Sequence, residues 1–429
     1  RQGEGMDSYP AEPVPAPSGA RSPLFELARR LRRPADGHIV LALCVASFLG
    51  TLSFVAPAPF FPEMAPDLET TVPLLGQVVT AVLLLSSALG LVVGPLADQY
   101  GHRRLMVIGM GAVAVAMLGI GLAPSYPVLL GIAPVGGLGG AAVLALPLAI
   151  AGTRLTGASS RRAIGWTVAS MACAAVVGVP FLTTIGGAVG WRAVFIGIGL
   201  AALGAGWLVA AALPVDQERT PAPLRARTLL AAYRPLVHHR PTLRLYGATA
   251  LRTACWIGLL TYFGAFLAEE LGLGTRQVGV AYMLGGVGYC LGSLAAGGRL
   301  GGLPLRPLAS ASNAAMGLLV GLIVALPLGP VATVALLPLA AFVGAIGSVG
   351  LTTLLAQETP AGAAATMGLN GAVFSLGAAG GAATGGLLLQ LGGYGALGIG
   401  LPALALASAL MVWRPIRPAL TVRDSPSRP

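Results

Sequence analysis

The sequence predicts an all-α integral membrane protein, with twelve transmembrane helices in two pseudo-symmetric six-helix bundles. Three observations carry this. Of the 429 residues, 55% are hydrophobic and only 10% charged, where a soluble domain carries about 25% charged residues. The apolar residues gather in twelve runs, each near the ~20 residues that cross a bilayer. A polar, basic stretch at 215–244 divides those runs six and six.

Taken in order, residues 1–37 are rich in Pro, Ala and Ser and turn basic at Arg29, Arg30, Arg32 and Arg33. This predicts a disordered tail ending in a short helix on an anionic leaflet. Met6 is a candidate start. The first run, 38–61, follows a basic patch as a signal peptide would. It is too long for an h-region and many spans follow, so it reads as an uncleaved first helix. The other spans are expected at 75–97, 105–122, 127–150, 162–184 and 193–214, then 245–268, 277–298, 307–328, 330–352, 364–388 and 393–413. The expected organisation is a tail (1–37), a bundle (38–214), a linker (215–244), a bundle (245–413) and a second tail (414–429).

A net charge of +11 would point to nucleic acid in a soluble chain, but here the basic residues sit in loops. All 26 are Arg, with no Lys, which looks like a coding bias. With the N-terminus inside, the inner segments hold Arg103, Arg104, Arg154, Arg161, Arg162, Arg299, Arg306 and the linker arginines. The outer loops keep only Arg192 and Arg276, beside Glu63, Asp67, Glu69, Glu269 and Glu270. Basic loops stay cytoplasmic, so both termini are expected inside. Cys44, Cys173, Cys255 and Cys290 lie in separate apolar runs and read as buried thiols, not disulfides or metal ligands. His38, His102, His238 and His239 have no acid-and-nucleophile arrangement, and no G-x-x-x-x-G-K-[ST] phosphate loop exists. No enzyme activity, cofactor or metal is expected, and ATP-driven transport is disfavoured.

Spans two and three are joined by Gly94-Pro-Leu-Ala-Asp98-Gln-Tyr-Gly101-His-Arg103-Arg104. Gly94 is expected to let helix backbones approach, and Gly101 to supply the positive φ of a tight turn. Asp98, Arg103 and Arg104 can pair with each other and with helix ends. The loop resembles the signature of the major facilitator superfamily, G-x-x-x-D-R-x-G-R-R. Gly94, Asp98, Gly101 and Arg103 match, while Gln99 and His102 stand where the family usually has basic residues. A second stretch, Gly178-Val-Pro180 followed by Gly186-Gly187 and Gly190-Trp191-Arg192, resembles the fifth-helix antiporter motif of drug and sugar efflux members. Pro180 removes a helix hydrogen bond and Gly178 permits bending and close packing. The fourth helix departs from the family: Gly137-Leu-Gly139 fits the end of R-x-x-Q-G-x-G, but Ala133 and Gly136 replace its Arg and Gln. The usual coupling route therefore lacks its arginine.

What the resemblance implies is a twelve-helix transporter of the drug:proton antiporter or sugar-efflux-like branch, in a bacterial inner membrane. Two bundles would rock about a midplane cavity, as a single chain. Asp98 with Arg103 would latch the inward-closed arrangement, and span five would hinge or seal. Protons would drive export of a small hydrophobic or amphipathic compound. The rivals are a proton-linked importer of a sugar or organic anion, and a non-transporting scaffold or receptor.

Within the spans, Arg252 is the one deep charge, which is costly and usually functional. It would clamp an anion, pair transiently with an acid, or snorkel. Trp256, Tyr262, Tyr282, Asn313 and Asn370, with Gln77, Trp166 and Tyr289, are candidates to line a cavity, sit in interfacial belts or glue helices. The halves echo weakly, with Gly297-Gly298-Arg299-Leu-Gly301 a worn counterpart of the loop at 94–104.

Overall fold

The structure is a computed structural model. It describes residues 33–155, 157–214, 233–236, 238–298, 300, 302–326, 328–359 and 363–413. The expectations for both tails up to residue 32 and from 414, for linker residues 215–232, and for Arg299 and Gly301 lie outside these residues.

A bilayer offers backbone groups no water, so long apolar runs must close their hydrogen bonds internally as helices. The spans are α1 (Arg33–Val55), α2 (Val72–Tyr100), α3 (His102–Leu122), α4 (Tyr126–Arg154), α5 (Arg162–Val189) and α6 (Trp191–Ala212). A second set follows: α7 (Arg240–Glu269), α8 (Thr275–Gly297), α9 (Leu305–Ala325) and α10 (Gly329–Glu358). The last stretch, Ala363–Trp413, is broken where Gly392 (φ −154°, ψ 22°) and Gly393 (φ 63°, ψ −159°) leave helical geometry. Only glycine takes the latter conformation freely. The break separates α11 (363–391) from α12 (394–413), which gives twelve crossings among the described residues.

Three expectations need correction. The first span stops at Val55, not at 61: Pro57 and Pro59 lack the N–H that a continuing ladder requires. The chain turns at Ala58–Phe60 and forms a short helix, Phe61–Asp67. The tenth span, expected to end at 352, runs on as helix to Glu358. All four cysteines are free, but only Cys255 is buried; Cys44 and Cys290 are half-buried and Cys173 is exposed. An apolar run marks a segment as dry, and lipid is as dry as protein, so composition cannot tell the two apart.

The packing repeats. In the first half α3 packs on α6 and α4, α4 on α2, and α1 on α5; in the second α9 packs on α12 and α10, α10 on α8, and α7 on α11. Even the shallow grooves follow the repeat. One of about 180 Å³ lies between α3 and α6, and one of about 290 Å³ between α9 and α12. Both are on the backs of the bundles. The halves meet along two seams, α2 against α11 and α5 against α8.

Candidate functional site

One end of the molecule carries the 58–67 turn and is termed the lid end; the other carries residues 98–104 and is the loop end. At the lid end the halves are sealed. Ala58 and Pro59 press on α7 at Gly264: a Cβ there would stand 3.0 Å from the Ala58 carbonyl oxygen and 3.1 Å from Pro59 Cα. Thr275 of α8 donates a hydrogen bond to Glu63 of the lid. The Trp191 indole donates to Asp67 at 2.8 Å, fixing the lid to its own half. Tyr262 donates to the Ala382 carbonyl at 2.6 Å, and its hydroxyl and ring fill the space over Gly76 of α2 and Gly385 and Gly386 of α11. Tyr282 donates to the Leu260 carbonyl at 2.5 Å and accepts the Gly264 N–H at 3.2 Å. Tyr262 therefore builds the seal, and Tyr282 braces α7 where the lid rests on it.

The α5 motif joins the same seal. Residues Ala174–Gly178 form a π-turn directly before Pro180. The proline ring would strike the carbonyl four residues back, and the wider i→i+5 winding relieves that clash. Gly178 lies under Leu52 and Phe48 of α1, and Gly186 under the Phe60 ring. A Cβ on Gly279 of α8 would come within 3.2 Å of Pro180 Cα and collide with Thr183. Gly187 faces open space.

Towards the loop end the α5–α8 seam parts. The packing of α8 falls on Ala174–Gly178 and Val179–Val189, with none of substance on Gly157–Cys173. Trp166 on α5 is 62% exposed and Leu294 on α8 73%. Gly101 takes φ 95° between α2 and α3, as its place in the turn requires. The Asp98 side chain is 72% exposed, with His102 Nε2 at 3.9 Å, an ion pair only when that histidine is protonated. Arg103 donates to the Ala210 carbonyl from Nη2 (2.5 Å) and Nε (3.0 Å). That carbonyl is in the last turn of α6, where the helix dipole favours a cation. Arg104 is exposed. Gly94 corrects an expectation: a Cβ there would meet nothing within 4 Å, so no backbone approaches it in this arrangement.

In the second half, Arg306 stands second in α9 as Arg103 stands second in α3. It reaches the Val412 carbonyl of α12 at 3.5 Å and pairs with Glu358. The sequence reading missed this counterpart by seeking a glycine-spaced loop instead of a helix-start arginine.

Arg252 lies midway along α7 and is 2% exposed, so it does not snorkel. Nη1 is 3.5 Å from the Gly344 carbonyl and Nη2 3.3 Å from Thr253 Oγ1, while Nε has no partner. Its titratable neighbours are Tyr289 and Cys255. Trp256 stacks on Tyr289 with centroids 6.5 Å apart. Asn370 of α11 buries an Oδ1 that no donor reaches. Asn313 takes the helix-joining alternative: its Nδ2 donates to Ser408 Oγ at 3.0 Å, tying α9 to α12 at the back of the bundle.

With this geometry in place, the sequence pattern of the Major Facilitator Superfamily matches residues 43–367. The chain belongs to the major facilitator superfamily. Among similar proteins, a chloramphenicol resistance protein of Streptomyces lividans is 31% identical over 270 residues, covering 60% of this chain and 65% of that one. A multidrug resistance protein, Stp, of Mycobacterium tuberculosis is 36% identical over 121 residues, covering 27% and 20%. The matched stretch is thus under two thirds of each relative's length. Of solved structures, a bacterial homolog to the human lysosomal transporter Spinster aligns with a TM-score of 0.66 at 16% identity, over 88% of this chain and 95% of that one. The nucleoside transporter NupG aligns at 0.69 and 13%, over 87% and 98%. These two support the fold alone. As a superfamily member, the chain brings its α5 motif, Tyr262 and Tyr282 together at the lid end. It keeps its signature loop apart from them, at the other end.

Proposed function

We propose that this transporter exports a small hydrophobic or amphipathic compound, of the antibiotic or drug class, by alternating access in exchange for protons. One observation carries the reading: the G-V-P segment of α5 is seated on α8 at the lid end while the same seam parts at the loop end. A seam closed at one end and open at the other is what a rocking pair of bundles presents in one of its two states. The relatives' names, resistance to chloramphenicol and to multiple drugs, support the drug class. The loop arginines support cytoplasmic termini in a bacterial inner membrane, which makes the lid end outer and this arrangement inward-open. The two bundles are 38–214 and 245–413, joined by the basic linker, and one chain is the working unit. Asp98, exposed here, docks when the loop end closes. The reading is tested by dye efflux from energised cells with and without a protonophore, using ethidium and an antibiotic panel. Proton-linked export predicts efflux that collapses with the gradient; efflux indifferent to the protonophore removes the antiport.

A second reading rests on Arg252. A buried guanidinium with an unmet Nε and long bonds elsewhere suits an anionic group on the cargo, beside the Trp256–Tyr289 stack. It would make the chain a carrier of organic anions. Arg252→Ala decides: loss of anionic substrates with neutral ones kept supports it, and an unchanged range removes it.

A further inference from the structure

Pro95 lies inside α2. Having no N–H, it leaves the carbonyl of Leu91, four residues earlier, without its helical donor. In a dry environment such a carbonyl must find another donor. The donor is Tyr233, whose hydroxyl lies 3.2 Å from the Leu91 carbonyl oxygen.

Tyr233 does not belong to α2 or to the first bundle. It begins the helical segment 233–236 between the bundles. Leu236 of that segment is fully buried in a cluster with Leu245, Tyr246, Ala248 and Leu354 of the second half, and Tyr233 packs against the same cluster. The Tyr233 hydroxyl also lies 3.5 Å from the place a Cβ would occupy on Gly368 of α11. A side chain rooted in one half thus crosses the α2–α11 seam to the other. It lands two turns before Asp98. Burial raises the Tyr233 pKa from its usual 10.0, so the hydroxyl keeps its proton and stays a donor.

We propose that Tyr233 is a positioning residue of the transport cycle: it ties the second half to the carbonyl that Pro95 frees on α2, and so stabilises the arrangement in which the α5–α8 seam is parted at the loop end. The tie is made by one hydroxyl and depends on one proline. The inference rests on the alternating-access reading for its consequence in transport, but not for its test.

The test uses the whole 429-residue chain with its four cysteines replaced and spin labels at Trp166→Cys and Leu294→Cys, across the parted end of the α5–α8 seam. Distances between labels report the arrangement whether or not any dye is exported. Tyr233→Phe removes the hydroxyl and keeps the ring. It is expected to raise the short-distance population about two- to tenfold, the equivalent of one hydrogen bond. Pro95→Ala restores an N–H to the Leu91 carbonyl, so in that background Tyr233→Phe is expected to change nothing. No shift from Tyr233→Phe alone overturns the proposal. An equal shift in both backgrounds overturns it as well, since the ring's packing and not the bond would then be responsible. Failed dye efflux with the expected distances would remove the export reading and leave the tie standing.

Discussion

At the loop end of the first half, Arg103 leaves the start of α3 for the Ala210 carbonyl of α6; in the second half, Arg306 leaves the start of α9 for the Val412 carbonyl of α12. The corners then differ. Arg306 also pairs with Glu358, at the end of α10. The equivalent end of α4 carries Arg154 in its last turn. Among the described residues, the acid at this end of the first half stands on α2, where Asp98 is 72% exposed. At the lid end the halves agree again. Gly76 is fifth in α2 and Gly279 fifth in α8, and each takes a side chain from the opposite half, Tyr262 and Thr183. The seal is symmetric and the corners are not. Among the described residues, one corner pairs its arginine with Glu358, and the other exposes a carboxylate beside His102.

The sharpest break in this comparison is Asp98→Asn. Dye efflux is expected to fall on the order of tenfold or more, through loss of a charge-assisted contact in the closed state. Expression and insertion should be unchanged, because the side chain is exposed here. Normal flux would remove the latch. Next come Gly76→Ala and Gly279→Ala. Each adds a methyl group where a neighbour already sits, an overpacking cost of about 1–3 kcal/mol. Labelling of lid-end cysteines should rise to a similar degree in both, and a rise in only one would break the symmetry of the seal. Arg306→Ala should cost about 1–2 kcal/mol of stability, for a half-buried pair, read as a lower melting point with efflux retained. Adding Glu358→Ala should recover part of it, since an orphaned acid costs more than an absent pair. The smallest effect is Gly94→Ala. Open space at that position and the better helix propensity of alanine, up to about 1 kcal/mol, predict an equal or slightly higher melting point.

The spans, the Gly101 turn and the α5 motif were legible because each follows from local chemistry. Length and dryness set a span, positive φ calls for glycine, and proline breaks a ladder. What stayed open needed rotational phase. In a helix apolar all round, nothing in the sequence says whether Asn313 faces a cavity or a neighbouring helix, and it binds Ser408 at the back. The lid was hidden because residues 56–61 are as apolar as the helix before them, and only their prolines mark the break. Gly94 was misread because a small residue advertises close approach without saying in which state it happens. Tyr233 was invisible because its meaning depends on Pro95, which is 138 positions earlier in the chain.

The π-turn in α5 has one more effect. A π-turn holds one residue more than an α-turn, so the helix beyond it is rotated by about 100° relative to an unbroken helix. Before the turn, Gly157–Cys173 gives its packed face to α1; after it, Val179–Val189 gives a face to α8. The offset lets a single helix serve its own bundle over one length and the opposite bundle over the next. Were the extra residue to migrate along the helix, the side chains it passed would swing from one neighbour to the other without a single backbone bend.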